Sequence, residues 1–305
     1  MIKPKALQEG DLVAVAAPAS PFDQSEFLFA VERLKRLGFR VTFRKDIFSK
    51  KYYLAGSDER RANELNDFFE DPSVKAIFFA RGGYGTQRIL HLLDLEAIKF
   101  QPKVLVGYSD ITALFNWLYK HDIGGFFYGP TIARHFKHAD KKTIEILFSC
   151  ISSNKPLGKL TSTGAKVLKH GTAEGALVGG CLSLIASSIG TPYDLPTDNT
   201  ILFLEDVNED VYKYDRMLTH LKNAGKLRNV TGLIFGSMGL AKGGDNNSFK
   251  KMLTEVLANF PGPIIGNFPT GHYPLNKLFV TLPFGGMCKV TTKPLSVEIT
   301  EQTLE

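Results

Sequence analysis

Two segments hold residues able to attack a carbonyl group and to stabilise the charge that follows. In VLVGYSDITALFNWLYK an apolar run passes through Gly107 and Tyr108 into Ser109 and Asp110, then directly into a helical pattern. A serine at a strand, turn and helix junction has its hydroxyl turned outward, beside the next amide and the positive end of the helix, which suits a nucleophile. Ile111 stands where a G-x-S-x-G elbow has its second glycine, so this turn needs another backbone shape. A serine here also serves as an ordinary helix cap. In KAIFFARGGYGTQRIL, Gly82, Gly83 and Gly85 follow one strand pattern and precede a helix. An amide of Gly82 or Gly83 can join that of Asp110 around a developing oxyanion. The alternative is a tight turn or a phosphate loop. Arg88 occupies the last glycine position of a G-x-G-x-x-G, and no G-x-x-x-x-G-K-S/T occurs.

Two further segments can supply an acid and a base. In NTILFLEDVNEDVYKYDRMLTHL, Glu205 closes an apolar strand pattern, with Asp206, Glu209 and Asp210 behind it. Acidic residues ahead of a helix are also common because they complement its dipole. In IIGNFPTGHYPLNK, His272 follows Gly271 in a proline-punctuated loop. The six other histidines, His91, His121, His135, His138, His170 and His220, fall in helical or polar stretches without such punctuation.

The elements that must position these groups follow from hydrophobic period. Short apolar runs at Leu12 to Ala17, Arg40 to Arg44, Lys75 to Ala80, Val104 to Tyr108 and Gly125 to Tyr128 alternate with helical segments. That order predicts an α/β fold with a mostly parallel sheet flanked by helices. Phe27, Val31, Leu34 and Leu37 form one apolar helix stripe, and Ala62, Leu65 and Phe69 another, capped by Ser57 or Asp58. Residues 137–171 read as polar and irregular, which divides the chain into an N-terminal domain over 1–136, a linker, and a smaller mixed domain over 172–305. In the latter, helices are expected at Cys181 to Ile189, Val211 to Ala224 and Ser248 to Phe260. Strands are expected at Thr200 to Leu204, Gly232 to Phe235, Pro263 to Phe268, Leu278 to Leu282 and Leu295 to Ile299.

Composition narrows the function classes. The 305 residues are 44% hydrophobic and 22% charged, enough for a substantial core. No apolar run approaches the ~20 residues of a membrane span, and the N-terminal stretch lacks a continuous secretory apolar centre. A cytoplasmic protein that binds no membrane is expected. Three widely spaced cysteines suggest neither a disulfide framework nor a zinc site. The net charge of +6 is dispersed without a basic block, so it reads as solvated surface rather than a nucleic-acid face.

Taken together, AAPAS, LAGSDERRANELNDFF, ARGGYGTQRIL, GYSDITAL, GALVGGCLSLIASSIGTP, LFLEDVNEDVYKYDRMLTHL, GLIFGSM and FPTGHYPLNKLFVTLPFG resemble, in this order, the LD-carboxypeptidase family of serine peptidases. The resemblance runs nearly end to end. It implies two domains with the active site in the cleft between them, Ser109 as nucleophile, Glu205 as orienting acid and His272 as general base, the amides of Asp110 and Gly82 or Gly83, here taken as Gly83, as oxyanion donors, and no metal or other cofactor. It also implies a homodimer. The implied substrate is a murein tetrapeptide, cut between diaminopimelate or lysine and a terminal D-alanine during cell-wall recycling. Its free carboxylate calls for a basic partner, for which Arg81 and Arg134 are candidates. The family also includes immunity-type hydrolases of aminoacyl sulfamoyl or phosphoramidate adenylates. Such an activity would need an aromatic platform, and the only tryptophan, Trp117, lies on the apolar pattern of the helix after Ser109. A non-catalytic small-ligand binding protein is the remaining alternative.

Overall fold

The computed structural model describes residues 1–305. The first half contains β1 (Leu12–Ala16), α1 (Gln24–Arg36), β2 (Arg40–Thr42), α2 (Asp58–Glu70), β3 (Val74–Phe79), α3 (Leu95–Phe100), β4 (Val104–Gly107), α4 (Thr112–Lys120), β5 (Phe126–Tyr128), α5 (Ile132–His135) and α6 (Lys141–Ile151). The second contains β6 (Gly158–Lys159), β7 (Lys166–Lys169), β8 (Thr172–Cys181), α7 (Leu182–Ser188), β9 (Thr200–Glu209), α8 (Val211–Asn223), β10 (Gly232–Leu240), α9 (Asn246–Val256), β11 (Ile264–Gly266), β12 (Leu282–Phe284), β13 (Met287–Thr292) and β14 (Leu295–Ile299).

Two sheets result, with strand orders β12-β5-β4-β3-β1-β2 and β6-β14-β13-β8-β9-β10-β11-β7. The first is parallel except for β12, which pairs antiparallel to β5. In the second, β8, β9, β10 and β11 are parallel and the outer strands antiparallel. The runs of Val, Ile and Phe in β3 and β4 are buried because helices cover both faces of that sheet, as parallel sheets require. Helix starts follow their capping residues: Asp23 accepts from the Glu26 amide and Ser57 from that of Arg60. One apolar cluster joins Leu105, Tyr108 and Phe126 of the first half to Leu177, Phe203 and Val290 of the second. The halves therefore pack as one body along that seam.

Residues 137–171 depart from the expected irregular linker. Asp140 accepts from the Thr143 amide and starts α6, whose Ile144, Leu147, Cys150 and Ile151 bury into the apolar cluster that also holds Phe27 and Val31. β6 and β7 then edge the second sheet. The polar Ser-Ser-Asn-Lys-Pro turn follows α6 and ends it, so it marks one helix end rather than a whole linker. Residues 278–281 are buried at Phe279 and Val280 but bond to Thr143 Oγ1 and the Pro269 carbonyl, so the strand there begins only at Leu282.

Candidate active site

The sequence candidates converge near the C-terminal ends of parallel strands, where open α/β sheets bind ligands. β4 delivers Ser109 with φ +63°, a strained backbone for a residue bearing a Cβ. Its hydroxyl does not cap α4; no side-chain cap exists at either helical start that follows β4. Instead Ser109 Oγ lies 3.1 Å from His272 Nε2. His272 Nδ1 lies 2.7 Å from Glu205 Oε2, which also accepts from the His272 amide at 3.1 Å. An ionised carboxylate only accepts, so it keeps the ring proton on Nδ1 and leaves Nε2 free to take one from the serine.

Glu205 is not a solvated residue ahead of a helix. β9 continues to Glu209, and Glu205 sits within it, fully buried and paired with Cys181. Gly271 is required for the contact: its φ is +112°, and a Cβ would stand 2.6 Å from Glu205 Oε2. The Tyr108 ring packs against the imidazole, centroids 4.8 Å apart.

The glycine loop after β3 closes on the same point. A Cβ on Gly82 would lie 2.7 Å from Ser109 Cβ, 2.9 Å from its Oγ and 3.3 Å from the Asp110 amide, so only glycine lets the loop come this close to the serine. The amides of Gly82, Gly83 and Asp110 donate to no protein acceptor. Gly83, φ +110°, packs on Ser20, whose Oγ accepts from the Tyr84 amide.

Sequence reasoning missed the residues that brace this arrangement. The Asp110 carboxylate, fully buried, accepts from the Thr86 amide at 2.8 Å; burial raises its pKa. Arg61, also fully buried, donates to the carbonyls of Pro18 and Gly85. Tyr128 bonds to both Ser109 and Glu205. Only its place at the end of an apolar strand marked it in the sequence.

Arg81 and Arg134 share a hollow of about 350 Å3 with Phe22, Glu26, His138 and Leu275. Arg81 donates to the Pro21 carbonyl, while Glu26 is occupied by Lys137 and His138. A larger hollow, about 590 Å3, holds Lys3, Lys75 and Lys103 and none of the residues around Ser109. All three cysteines are buried and unpaired. Trp117 is buried in α4, edge-on to His121. No helix is long and apolar enough to cross a membrane.

An α/β fold of two sheets with a serine, histidine and glutamate chain at the sheet ends defines a hydrolase-like scaffold. The N-terminal domain of LD-carboxypeptidases matches residues 13–129 and the C-terminal domain matches residues 174–290. The chain belongs to the LD-carboxypeptidase family. It is 35% identical over 300 residues to the probable murein peptide carboxypeptidase of Bacillus subtilis strain 168, covering 95% of this chain and 92% of that protein. It is 28% identical over 321 residues to the microcin C7 self-immunity protein MccF of Escherichia coli, with coverage of 95% and 92%. The crystal structure of muramoyltetrapeptide carboxypeptidase from Oxalobacter formigenes superposes with a TM-score of 0.81 at 29% identity, covering 95% and 99% of the two chains. The family supports a serine carboxypeptidase-type hydrolase acting on cell-wall peptides.

Proposed function

We propose that the protein is a serine LD-carboxypeptidase that releases terminal D-alanine from murein tetrapeptides in cytoplasmic cell-wall recycling, acting as a homodimer. The observation that carries the reading is the continuous chain from Ser109 Oγ through His272 to Glu205, 3.1 Å and then 2.7 Å. Ser109 Oγ attacks the carbonyl carbon of the L,D amide bond while His272 Nε2 takes its proton. Glu205 stabilises the imidazolium. The amides of Gly83 and Asp110 receive the oxyanion; a single such donor is typically worth ~3 kcal/mol. His272 then protonates the departing amine of D-alanine, leaving an acyl ester on Ser109. Water, deprotonated by His272, hydrolyses the ester and restores the serine.

The adenylate-hydrolase reading uses the same chemistry, but the platform that Trp117 would offer a base is buried in α4. Mass spectrometry of D-alanine release from purified tetrapeptide, with chelator present, tests the proposal. Release by wild type and none by Ser109→Ala supports it. Release by both removes Ser109 as nucleophile, and release by neither redirects the test to aminoacyl sulfamoyl adenylates. Sedimentation velocity checks the dimer.

A further inference from the structure

We propose that Tyr128 is a positioning residue for this reaction: its hydroxyl, held between the Ser109 amide and Glu205 Oε1, couples the nucleophile of one half to the acid of the other. The inference rests on the serine-hydrolase reading of the site. The Ser109 amide donates to Tyr128 Oη at 3.2 Å, and Oη donates to Glu205 Oε1 at 2.6 Å. Glu205 is thereby occupied on both oxygens, Oε1 by the phenol and Oε2 by His272.

Each bond performs a separate task. The amide bond holds Ser109 at its φ of +63°, a conformation that persists only where neighbours fix it. The bond to Oε1 withdraws charge from the carboxylate and so sets how strongly Oε2 stabilises protonated His272. The tyrosine can do this because its own position is rigid. It ends β5, pairs across to Leu282 of β12, and stacks on Phe284 at 5.1 Å, with Phe203 of β9 at 5.6 Å. Its side chain is fully buried and has no access to substrate. Burial, with the Glu205 charge beside it, raises the phenol pKa well above its ordinary value, so the hydroxyl keeps its proton as a donor.

Tyr128→Phe removes the hydroxyl and keeps the ring. Expected are a fall in kcat of about ten- to a hundredfold with KM nearly unchanged, and an acid limb of kcat/KM moved up by about half a pH unit, because the uncompensated carboxylate favours imidazolium. Tyr128 replaced site-specifically by 3-fluorotyrosine retains the packing and strengthens the donor. Its acid limb should move down, which keeps the proposal testable if the phenylalanine variant does not fold. An acid limb unmoved in both proteins, or kcat within twofold of wild type in the phenylalanine variant, overturns the proposal. If wild type releases no D-alanine, the same comparison is made on the pH dependence of Ser109 phosphonylation by a fluorophosphonate, which needs no peptide substrate. Opposite shifts in that assay sustain the role of Tyr128 while the substrate assignment fails. A wild-type Ser109 that does not react overturns both.

Discussion

Ser109 Oγ and His272 Nε2 meet at 3.1 Å although 163 positions separate the residues in the chain. The serine is fixed by the end of β4, and the histidine by a loop whose Gly271 leaves room for Glu205. The seam between the two sheets thus sets the distance, and substitutions that shift it act on catalysis without touching substrate.

If the three residues act as one unit, their removals do not add. Ser109→Ala, His272→Ala and the double variant should each lower kcat by about a millionfold, with Glu205→Gln about a hundredfold milder. Single-turnover kinetics on tetrapeptide measure this. A double variant far below either single one would mean the residues work separately.

The two glycines beside the site should fail for different reasons, Gly82 through a clash with the nucleophile and Gly271 through backbone strain beside the acid. Gly82→Ala puts a methyl 2.7 Å from Ser109 Cβ and 2.9 Å from its Oγ, so the serine or its loop must shift, and activity should be lost together with thermal stability. Gly271→Ala adds strain at φ +112° and a methyl 2.6 Å from Glu205 Oε2. It should lose both activity and roughly 1–3 kcal/mol of stability. Kinetics and thermal melts check both variants, and a Gly82→Ala protein with wild-type activity would mean that the loop can move away from Ser109.

Most of the parallel sheet was legible in the sequence because hydrophobic period is a local signal, whereas Ser109, Glu205 and His272 stood there as candidates among ordinary caps and loop residues, and their roles came from the resemblance to a family. What brings those candidates together was not legible there. Ser109 as a cap and Ser109 as a nucleophile look alike until His272 appears beside it. Glu205 resembled a residue ahead of a helix because nothing local marks that β9 runs on against β10. Tyr128, Asp110 and Arg61 act through partners distant in the chain, which periodicity does not register. β12 joins the sheet of the other half, a pairing no spacing rule gives.

Arg81 and Arg134 face one hollow, and neither has an acidic partner within ion-pair distance, so both are available to a substrate carboxylate. Arg81→Ala and Arg134→Ala should each raise KM about tenfold or more with a smaller change in kcat, and lysine should recover part of the loss. Steady-state kinetics with the tetrapeptide and with its C-terminal amide test this. The amide should erase the difference between wild type and the responsible variant. If neither alanine variant alters KM or kcat, the carboxylate is held elsewhere.

His135 should make the protein acid-labile. It is buried against Tyr108 at 5.2 Å and Phe279 at 5.6 Å, and burial, aided by the Arg134 charge, pushes its pKa down to about 3. In the unfolded chain a histidine titrates near 6.5. Between those values the unfolded state binds the extra proton, so stability rises with pH: the contribution is complete above ~6.5 and is lost as pH falls toward 3. The loss from pH 7 to pH 4 is on the order of 3 kcal/mol. Other groups titrate over the same range, so His135→Phe, which retains an aromatic ring without a titrating nitrogen, isolates it. Urea unfolding at pH 7 and pH 4 should give a smaller acid loss in the variant than in wild type. Equal losses would mean that His135 takes up its proton in the folded protein, and that the packing around Tyr108 tolerates the charge.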